Sequence, residues 1–161
     1  MIFKLHVVSR GFIKFHHFHA KQLISKRFFS FKTSMEGYTK LRIIGTGSFG
    51  TVWLIRSKEK RRNYVLKEIS LSVVEERQRS FVLNEVKVLS QLRHMNIIRY
   101  KEAFLSNGFL CISMEYADEG DLSDRILKQH GEMLPKEQII DWFIQLCLAL
   151  KYIHGMNILH R

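Results

Sequence analysis

The chain has 161 residues, a length that allows one domain with an appendage, and its 46% apolar and 25% charged residues are ordinary for a globular protein. No uncharged apolar run reaches the roughly 18 residues that predict a membrane-spanning helix. Cys111 and Cys147, without C-x-x-C spacing, exclude a disulfide framework and indicate buried thiols in a reducing compartment.

The net charge of +11 is concentrated in residues 1–34, which hold seven Lys and Arg and no carboxylate. This basic composition is typical of a mitochondrial transit peptide, although the apolar positions follow neither a strand nor a helix period for long. We favour a disordered extension, or sequence upstream of a start at Met35, over mitochondrial targeting. The "HHFH" cluster lacks a second ligand group, so we expect no metal site there. Without a nucleic-acid-binding motif, we also expect no nucleic-acid partner.

Three strands are predicted first, over 38–45 ("YTKLRIIG"), 51–57 ("TVWLIRS") and 64–70 ("YVLKEIS"), with the charged turn "KEKRRN" before the third. A helix is predicted over 72–92. Ser72 stands three residues before Glu75, which is a capping-box signature for the start of this helix. The helix has an apolar stripe at Val82, Val86, Leu89 and Leu92.

Two further strands, "NIIRYKEAF" (96–104) and "FLCISMEY" (109–116), are joined by an "SNG" turn. A short helix is expected to start near Asp121, and a long one to run from Pro135, which suits a first helical turn, to His154. The apolar residues of the long helix recur at helical spacing: Ile139, Trp142, Phe143, Leu146, Ala149, Leu150 and Ile153. This order predicts an α+β fold in which one helix covers an antiparallel sheet.

The stretch "GTGSFGTV" (45–52) has G-x-G-x-x-G spacing, which lets a backbone turn approach phosphates closely. A dinucleotide-binding fingerprint would open a helix at this point. Here the β-branched and aromatic "TVWLIR" follows, so a hairpin covering a nucleotide is favoured.

Lys67 lies inside the third predicted strand, and Glu85 lies in the middle of the predicted helix. Most strand lysines and helix glutamates are solvated surface residues. Beneath a glycine hairpin, however, Lys67 is placed to meet phosphate oxygens, and Glu85 is the candidate carboxylate that orients it. The three features together favour the functional interpretation.

These residues resemble the start of a eukaryotic protein kinase domain. The glycine stretch matches the kinase pattern in full, and "YVLK" stands where the family has Val-Ala-Ile-Lys, with Glu85 as the helix partner of Lys67. "HMNII" is similar to the family's His-Pro-Asn motif, with Met95 in place of proline. Over residues 35–161 the sequence resembles the NIMA-related serine/threonine kinases, most clearly in the stretches "MEGYTKLRIIGTGSFG", "MEYADEGDL" and "EQIIDWFIQLCLALKYIH".

The resemblance implies a five-stranded antiparallel small lobe with helix C and a hinge over 35–117. It also implies the first helices of an incomplete large lobe over 118–161. Lys67 and Glu85 take catalytic roles, Met114 is the gatekeeper that borders the adenine pocket, and Asp121 is near the ribose. The positions that it assigns to ATP binding are Ile44, Gly45, Thr46, Gly47, Ser48, Phe49, Gly50, Thr51, Val52, Val65, Lys67, Met114, Glu115, Tyr116, Ala117 and Asp121.

The final "HR", His160 and Arg161, resembles the start of the family's His-Arg-Asp catalytic loop. The aspartate that would follow Arg161 and the family's Mg²⁺ ligands are not among the 161 residues. We therefore expect ATP and Mg²⁺ as cofactors of a serine/threonine kinase, but no phosphate transfer by these residues alone.

Two alternatives to a kinase portion stay open. One is a non-catalytic small-lobe binding module or decoy, and the other is a mitochondrial nucleotide-binding protein. The family implies protein Ser/Thr substrates, microtubule or ciliary partners, and a cytoplasmic or cytoskeletal location.

Overall fold

The computed structural model describes residues 35–47, 50–72, 74 and 76–160, with the side chains of the first helix described from residue 82 onward. The interpretations of residues 1–34, of Glu75 and of Arg161 lie outside these residues. The elements in chain order are a 3₁₀ turn Met35–Gly37, β1 Tyr38–Gly47, β2 Gly50–Ser57, β3 Asn63–Ser70, α1 Glu76–Gln91, β4 Tyr100–Ser106, β5 Phe109–Glu115, α2 Leu122–Leu127 and α3 Lys136–Gly155.

The five strands form one antiparallel sheet in the order β1-β2-β3-β5-β4, so the α+β prediction is confirmed. β3 lies at the centre, and α1 follows it in the chain before β4. The predicted "SNG" turn joins β4 to β5, with Asn107 at φ 49° and Gly108 at φ 81°. Positive φ at both central residues suits a tight hairpin, because its twist matches that of the strands.

Each face of the sheet has its own apolar cluster. On the helix-covered face, Val82 and Val86 of α1 pack with Ile69 and Ile112 of the sheet, so the predicted helix stripe is buried there. On the opposite face, alternate strand residues such as Leu66 and Cys111 pack in a second cluster. The period-2 alternation of β3 and β5 thus separates two sets of side chains. Lys67 belongs to the helix-covered face, which it shares with Val65 and Ile69, whereas Leu66 faces the opposite side.

The starts of α1, α3 and β4 are among the element boundaries that differ from the sequence prediction. α1 begins at Glu76, not at Ser72, whose hydroxyl lies 2.8 Å from that of Ser70 in the preceding strand. Pro135 precedes α3 in an extended conformation (ψ 134°), so it is the N-cap and not the first helical residue. β4 begins at Tyr100, because Asn96 lies in a turn where its side-chain amide donates to Gln145 of α3 at 2.9 Å.

α3 buries one side and exposes the other. Trp142, Ala149 and Ile153 are buried. Ala149 and Ile153 pack with Leu89 of α1 and with Leu92, which follows that helix. The predicted apolar residues Ile139 and Phe143 are exposed, and so are Ile140, Ile144 and Leu148.

Cys111 is buried as expected, and burial raises the pKa of its thiol to about 12. The prediction for Cys147 is wrong, because it lies on the exposed side of α3. None of the described helices combines the length and apolar character needed to cross a bilayer.

Candidate nucleotide-binding site

The glycine stretch forms the hairpin between β1 and β2, so the predicted strand–turn–strand arrangement is confirmed. Gly45 pairs with Val52, Thr46 with Thr51, and Gly47 with Gly50. Ser48 and Phe49, which come between the two strands in the sequence, lie outside the described residues. Because neither side of the hairpin is helical, its exposed backbone resembles a cover over a ligand and not the helix N-terminus of a dinucleotide fold.

Gly50 is required by packing against β3. A Cβ at Gly50 would lie 1.7 Å from the carbonyl oxygen of Glu68, whereas a Cβ at Gly45 would meet only the side chain of Val52, at 3.7 Å. The absence of a side chain at Gly50 therefore lets β2 approach the β3 backbone at the start of the hairpin. This fixes the spacing between β2 and β3, the strand that carries Lys67.

Lys67 lies in the centre of β3, where it pairs with Val52 of β2 and with Ile112 of β5. Its Nζ lies 3.6 Å from Oε1 of Glu85 on α1, which makes an ion pair between the sheet and the helix. The side chain of Lys67 is 19% exposed and that of Glu85 is 2% exposed. The ammonium group thus keeps access to the outside of the protein, while its partner does not.

Glu85 is the most deeply buried charged residue of the site, so it is not the surface glutamate that a helix position suggests by default. Neither carboxylate oxygen has a hydrogen-bond partner within the described part of the chain. Burial raises the pKa of the Glu85 carboxyl, although the nearby Lys67 ammonium acts to lower it. A buried carboxylate with one cationic neighbour constrains where that cation lies, because leaving the carboxylate without its partner is energetically costly.

The residues assigned to the adenine pocket lie together. Val65 and Met114 are both buried, and their Cα atoms are paired between β3 and β5. Val52, Tyr116 and Ala117 pack against the same apolar cluster while keeping part of their surface exposed. An apolar floor with a partly open edge is the kind of surface on which a flat heterocycle packs.

The segment that the resemblance assigns to the hinge begins at the end of β5. The N–H of Glu115 donates to the Arg99 carbonyl at 2.9 Å, which fixes the end of the strand. Ala117, two residues later, makes no main-chain hydrogen bond to the part of the chain that the structure describes. Its N–H is therefore available to a ligand acceptor.

Two assigned residues are less enclosed. Ile44 of β1 is 36% exposed. Asp121 is the N-cap of α2, and its Oδ1 accepts the Asp124 N–H at 2.8 Å. Its place near a ribose remains a prediction, because the observed contact is a helix cap.

The predicted start of the catalytic loop lies at the edge of the described residues. His160 belongs to them, and Arg161 does not. The interpretation of Arg161 as the residue before a catalytic aspartate therefore stays a prediction, which rests on the family resemblance.

Ile112 is a site residue that the sequence analysis did not single out. It lies directly opposite Lys67 in β5 and belongs to the same apolar cluster as Val65 and Met114. The signal was available, because Ile112 precedes Met114 by two residues and so shares its face of the strand.

The arrangement fits a nucleoside triphosphate. The apolar floor suits a base, and Lys67 offers a cation beneath a glycine hairpin whose backbone allows close approach of phosphates. Within the described ranges, no three acidic, His or Cys side chains converge on a possible metal site. The residues at hand therefore fit the nucleotide but do not provide a ligand set for Mg²⁺.

The amino-acid sequence of the chain is similar to those of known proteins. The family model described as "Protein kinase domain" matches residues 38–161. Serine/threonine-protein kinase Nek1 of Mus musculus is 48% identical over 127 residues, which cover 79% of this chain and 11% of Nek1. Serine/threonine-protein kinase Nek3 of the same organism is 42% identical over 127 residues, covering 79% of this chain and 24% of Nek3.

A relative from another organism matches a similar share of this chain. The probable serine/threonine-protein kinase nek3 of Dictyostelium discoideum is 43% identical over 129 residues, covering 79% of this chain and 12% of its own. The chain thus spans less than a quarter of the length of these curated relatives. The matched residues include the glycine hairpin, Lys67 and Glu85, and the chain therefore belongs to the protein kinase family, with NIMA-related (Nek) serine/threonine kinases as its relatives.

Proposed function

We propose that this chain is the ATP-binding portion of a serine/threonine protein kinase, which transfers the γ-phosphate of ATP to Ser or Thr hydroxyls of proteins. The observation that carries the proposal is the Lys67–Glu85 ion pair, 3.6 Å long, beneath the glycine hairpin. The apolar floor formed by Val52, Val65 and Met114 adds a place for the adenine ring.

Each part has a physical task in this proposal. The ammonium of Lys67 binds phosphate oxygens and offsets their negative charge, which is the main way that kinases lower the barrier to phosphoryl transfer. Glu85 is a positioning residue, because it acts on the nucleotide only through Lys67. The hinge N–H of Ala117 orients the base, and Gly50 keeps the hairpin low over the phosphates.

Mg²⁺ supplies further charge neutralisation on the phosphates when it is bound. Protein kinases use it in general, and we expect the same here. We assign no protein ligand for Mg²⁺ among the described residues, and no residue that accepts the proton of the substrate hydroxyl.

The location and partners follow from the family alone. We propose a cytoplasmic protein that acts at microtubules or cilia, as the resemblance to NIMA-related kinases suggested. Fluorescence imaging of the tagged protein at its native level, with a tubulin counterstain, tests this. Signal confined to mitochondria would contradict it.

Activity is tested on the protein that its gene produces. A tagged genomic copy is expressed as wild type, as Lys67→Met and as Lys87→Met, a lysine of α1 that forms no ion pair in the described part of the chain. Each protein is purified and given γ-labelled ATP, Mg²⁺ and a peptide library containing Ser, Thr or Tyr.

We expect label on Ser and Thr peptides, a loss of about 100-fold or more in Lys67→Met because charge stabilisation disappears, and no loss in Lys87→Met. Transfer that survives Lys67→Met, or that is confined to Tyr peptides, would contradict the proposal.

A further inference from the structure

A second charged surface lies at the far end of the β1–β2 hairpin. Here a cleft of about 420 Å³ is lined by Thr39, Arg56, Ser57, Lys58 and Arg61, and we call these five residues the basic cleft. Arg56 follows Val52 by four residues along β2. At about 3.3 Å per residue, this places the cleft roughly 13 Å along the strand from the position opposite Lys67.

The backbone around the basic cleft is fixed by hydrogen bonds. The Ser57 N–H donates to the Arg62 carbonyl at 2.9 Å, which closes the turn between β2 and β3. The Lys58 N–H donates to the Gly37 carbonyl at 2.9 Å, which ties the turn to the segment before β1. Thr39 and Arg56 are cross-strand partners. The cleft therefore has a defined shape, although its cationic side chains are exposed.

Ser57 contributes a hydroxyl to the lining of the basic cleft. It is 4% exposed, and its Oγ accepts the Lys60 N–H at 3.2 Å. Since the oxygen serves as the acceptor in that bond, the hydroxyl hydrogen is left to donate elsewhere.

The cations of the basic cleft have no close carboxylate partner among the described residues. Arg56, Lys58 and Arg61 make no ion pair or side-chain hydrogen bond with the described residues, and neither do the neighbouring carboxylates Glu36 and Glu59. Lys40, on the same strand as Thr39, shows the contrast, because its Nζ lies 2.7 Å from Glu68. Three like charges around one cleft repel each other, and an anion placed among them relieves that repulsion.

We propose that the basic cleft binds a phosphate monoester carried by a protein, namely a phosphoserine or phosphothreonine side chain. Such a group carries a charge of about −1.5 to −2 and three acceptor oxygens. The guanidinium groups of Arg56 and Arg61 suit it because each can donate two parallel N–H bonds. Ser57 supplies a neutral donor.

A phosphorylated protein fits better than a nucleic acid. Single-stranded nucleic acids are held by aromatic side chains on which bases stack, and none of the five lining residues is aromatic. Binding at the cleft does not depend on catalysis at Lys67, so the two proposals stand separately.

The test measures binding of a fluorescein-labelled heptapeptide with one central phosphoserine, and of its unphosphorylated twin, to the complete chain by fluorescence anisotropy. A labelled oligothymidylate of seven nucleotides serves as the nucleic-acid probe. The variants are Arg56→Gln with Lys58→Gln in the cleft, Lys128→Gln with Lys151→Gln as an equal loss of charge on exposed residues elsewhere, and Lys67→Met. Thermal unfolding by circular dichroism confirms that each variant is folded.

We expect the phosphopeptide to bind at least about tenfold more tightly than its twin, because its charge and acceptor oxygens meet the cleft cations. The cleft variant abolishes that preference, whereas the Lys128/Lys151 pair and Lys67→Met retain it. Equal loss in both double variants would reduce the effect to net charge and overturn the proposal. Loss in Lys67→Met alone would place the phosphate at the nucleotide site, and tighter binding of the oligothymidylate would favour a nucleic acid; either result also overturns it.

Discussion

Lys67 of β3 and Glu85 of α1 face each other with 3.6 Å between Nζ and Oε1, and the carboxylate is almost wholly buried while the ammonium is not. Because of this difference in exposure, the two residues have different roles. Glu85 has no other partner among the described residues, so it holds Lys67 in place, and the exposed part of Lys67 is left for a ligand. The helix thereby controls the position of a cation on the sheet.

The buried Glu85 makes stability depend on pH. Its pKa is raised above the ordinary 4.5 by burial, so the folded protein binds a proton that the unfolded chain has released. Stability therefore falls as pH rises from about 4.5 through the raised pKa. In Glu85→Gln this fall is absent. The melting temperature of the variant minus that of the wild type should therefore increase as pH rises from 4 to 8.

Thermal unfolding of both proteins across this pH range checks the prediction. Glu119→Gln is the control, because Glu119 is exposed between β5 and α2. A melting-temperature difference between Glu85→Gln and wild type that stays constant with pH would show that Glu85 titrates normally in the folded protein.

Gly50 and Gly45 provide a matched pair within one hairpin. We expect Gly50→Ala to lower the free energy of unfolding by about 1–3 kcal/mol or more, because its Cβ would overlap the Glu68 carbonyl oxygen at 1.7 Å. Gly45→Ala meets Val52 at an ordinary 3.7 Å, so we expect a change within about 1 kcal/mol. Urea unfolding of both variants measures this. Similar losses in the two would mean that β2 moves away from β3 freely.

Much of the fold was predictable because the local signals agree with each other. Alternation in "YVLKEIS" and "FLCISMEY" indicated the central strands, and the helical spacing of Val82, Val86 and Leu89 indicated the buried face of α1. The start of α1 was not predictable in this way. Ser72 has the sequence of a cap, but its hydroxyl is used by Ser70, and nothing local reveals that competition.

The residues of the candidate site were predictable from the sequence, but their burial and close packing were not. The glycine stretch, Lys67 and Glu85 taken together suggested that the two charged residues meet, whereas the near-complete burial of Glu85 depends on how α1 packs on the sheet. The tight approach at Gly50 depends on the register of β2 with β3, which fixes Gly50 opposite Ile69. Cys147 was mispredicted because composition does not tell which side of α3 is covered.

Met114 is a buried residue of the apolar floor. It is 5% exposed, so Met114→Ala should cost about 2–5 kcal/mol of stability through the cavity that it leaves. The same cavity should admit adenine analogues that carry a bulky exocyclic substituent. Calorimetric titration should show that such analogues gain affinity relative to ATP in the variant. An unchanged ranking of analogues would mean that Met114 does not border the adenine site.

The exposed side of α3 should make the 161-residue chain bind apolar probes. Phe143 is 63% exposed and has Ile139, Ile140 and Ile144 beside it on the helix. We expect Phe143→Glu to reduce both anilinonaphthalene sulfonate fluorescence and self-association in sedimentation velocity, since it breaks a contiguous apolar patch. Lys136→Glu, at the polar start of α3, is the control. Equal effects of the two substitutions would attribute the change to charge.

The central claim is that Lys67, held by Glu85, binds the phosphates of a nucleotide. The most direct measurement is the affinity of a fluorescent ATP analogue for the wild type, Lys67→Met and Lys87→Met, with the corresponding adenosine analogue as a ligand that lacks phosphates. The account predicts that Lys67→Met weakens ATP binding by about tenfold or more, because a charge-assisted contact is lost, and leaves adenosine binding and the Lys87→Met variant unchanged. Equal ATP affinity in the wild type and Lys67→Met would contradict it.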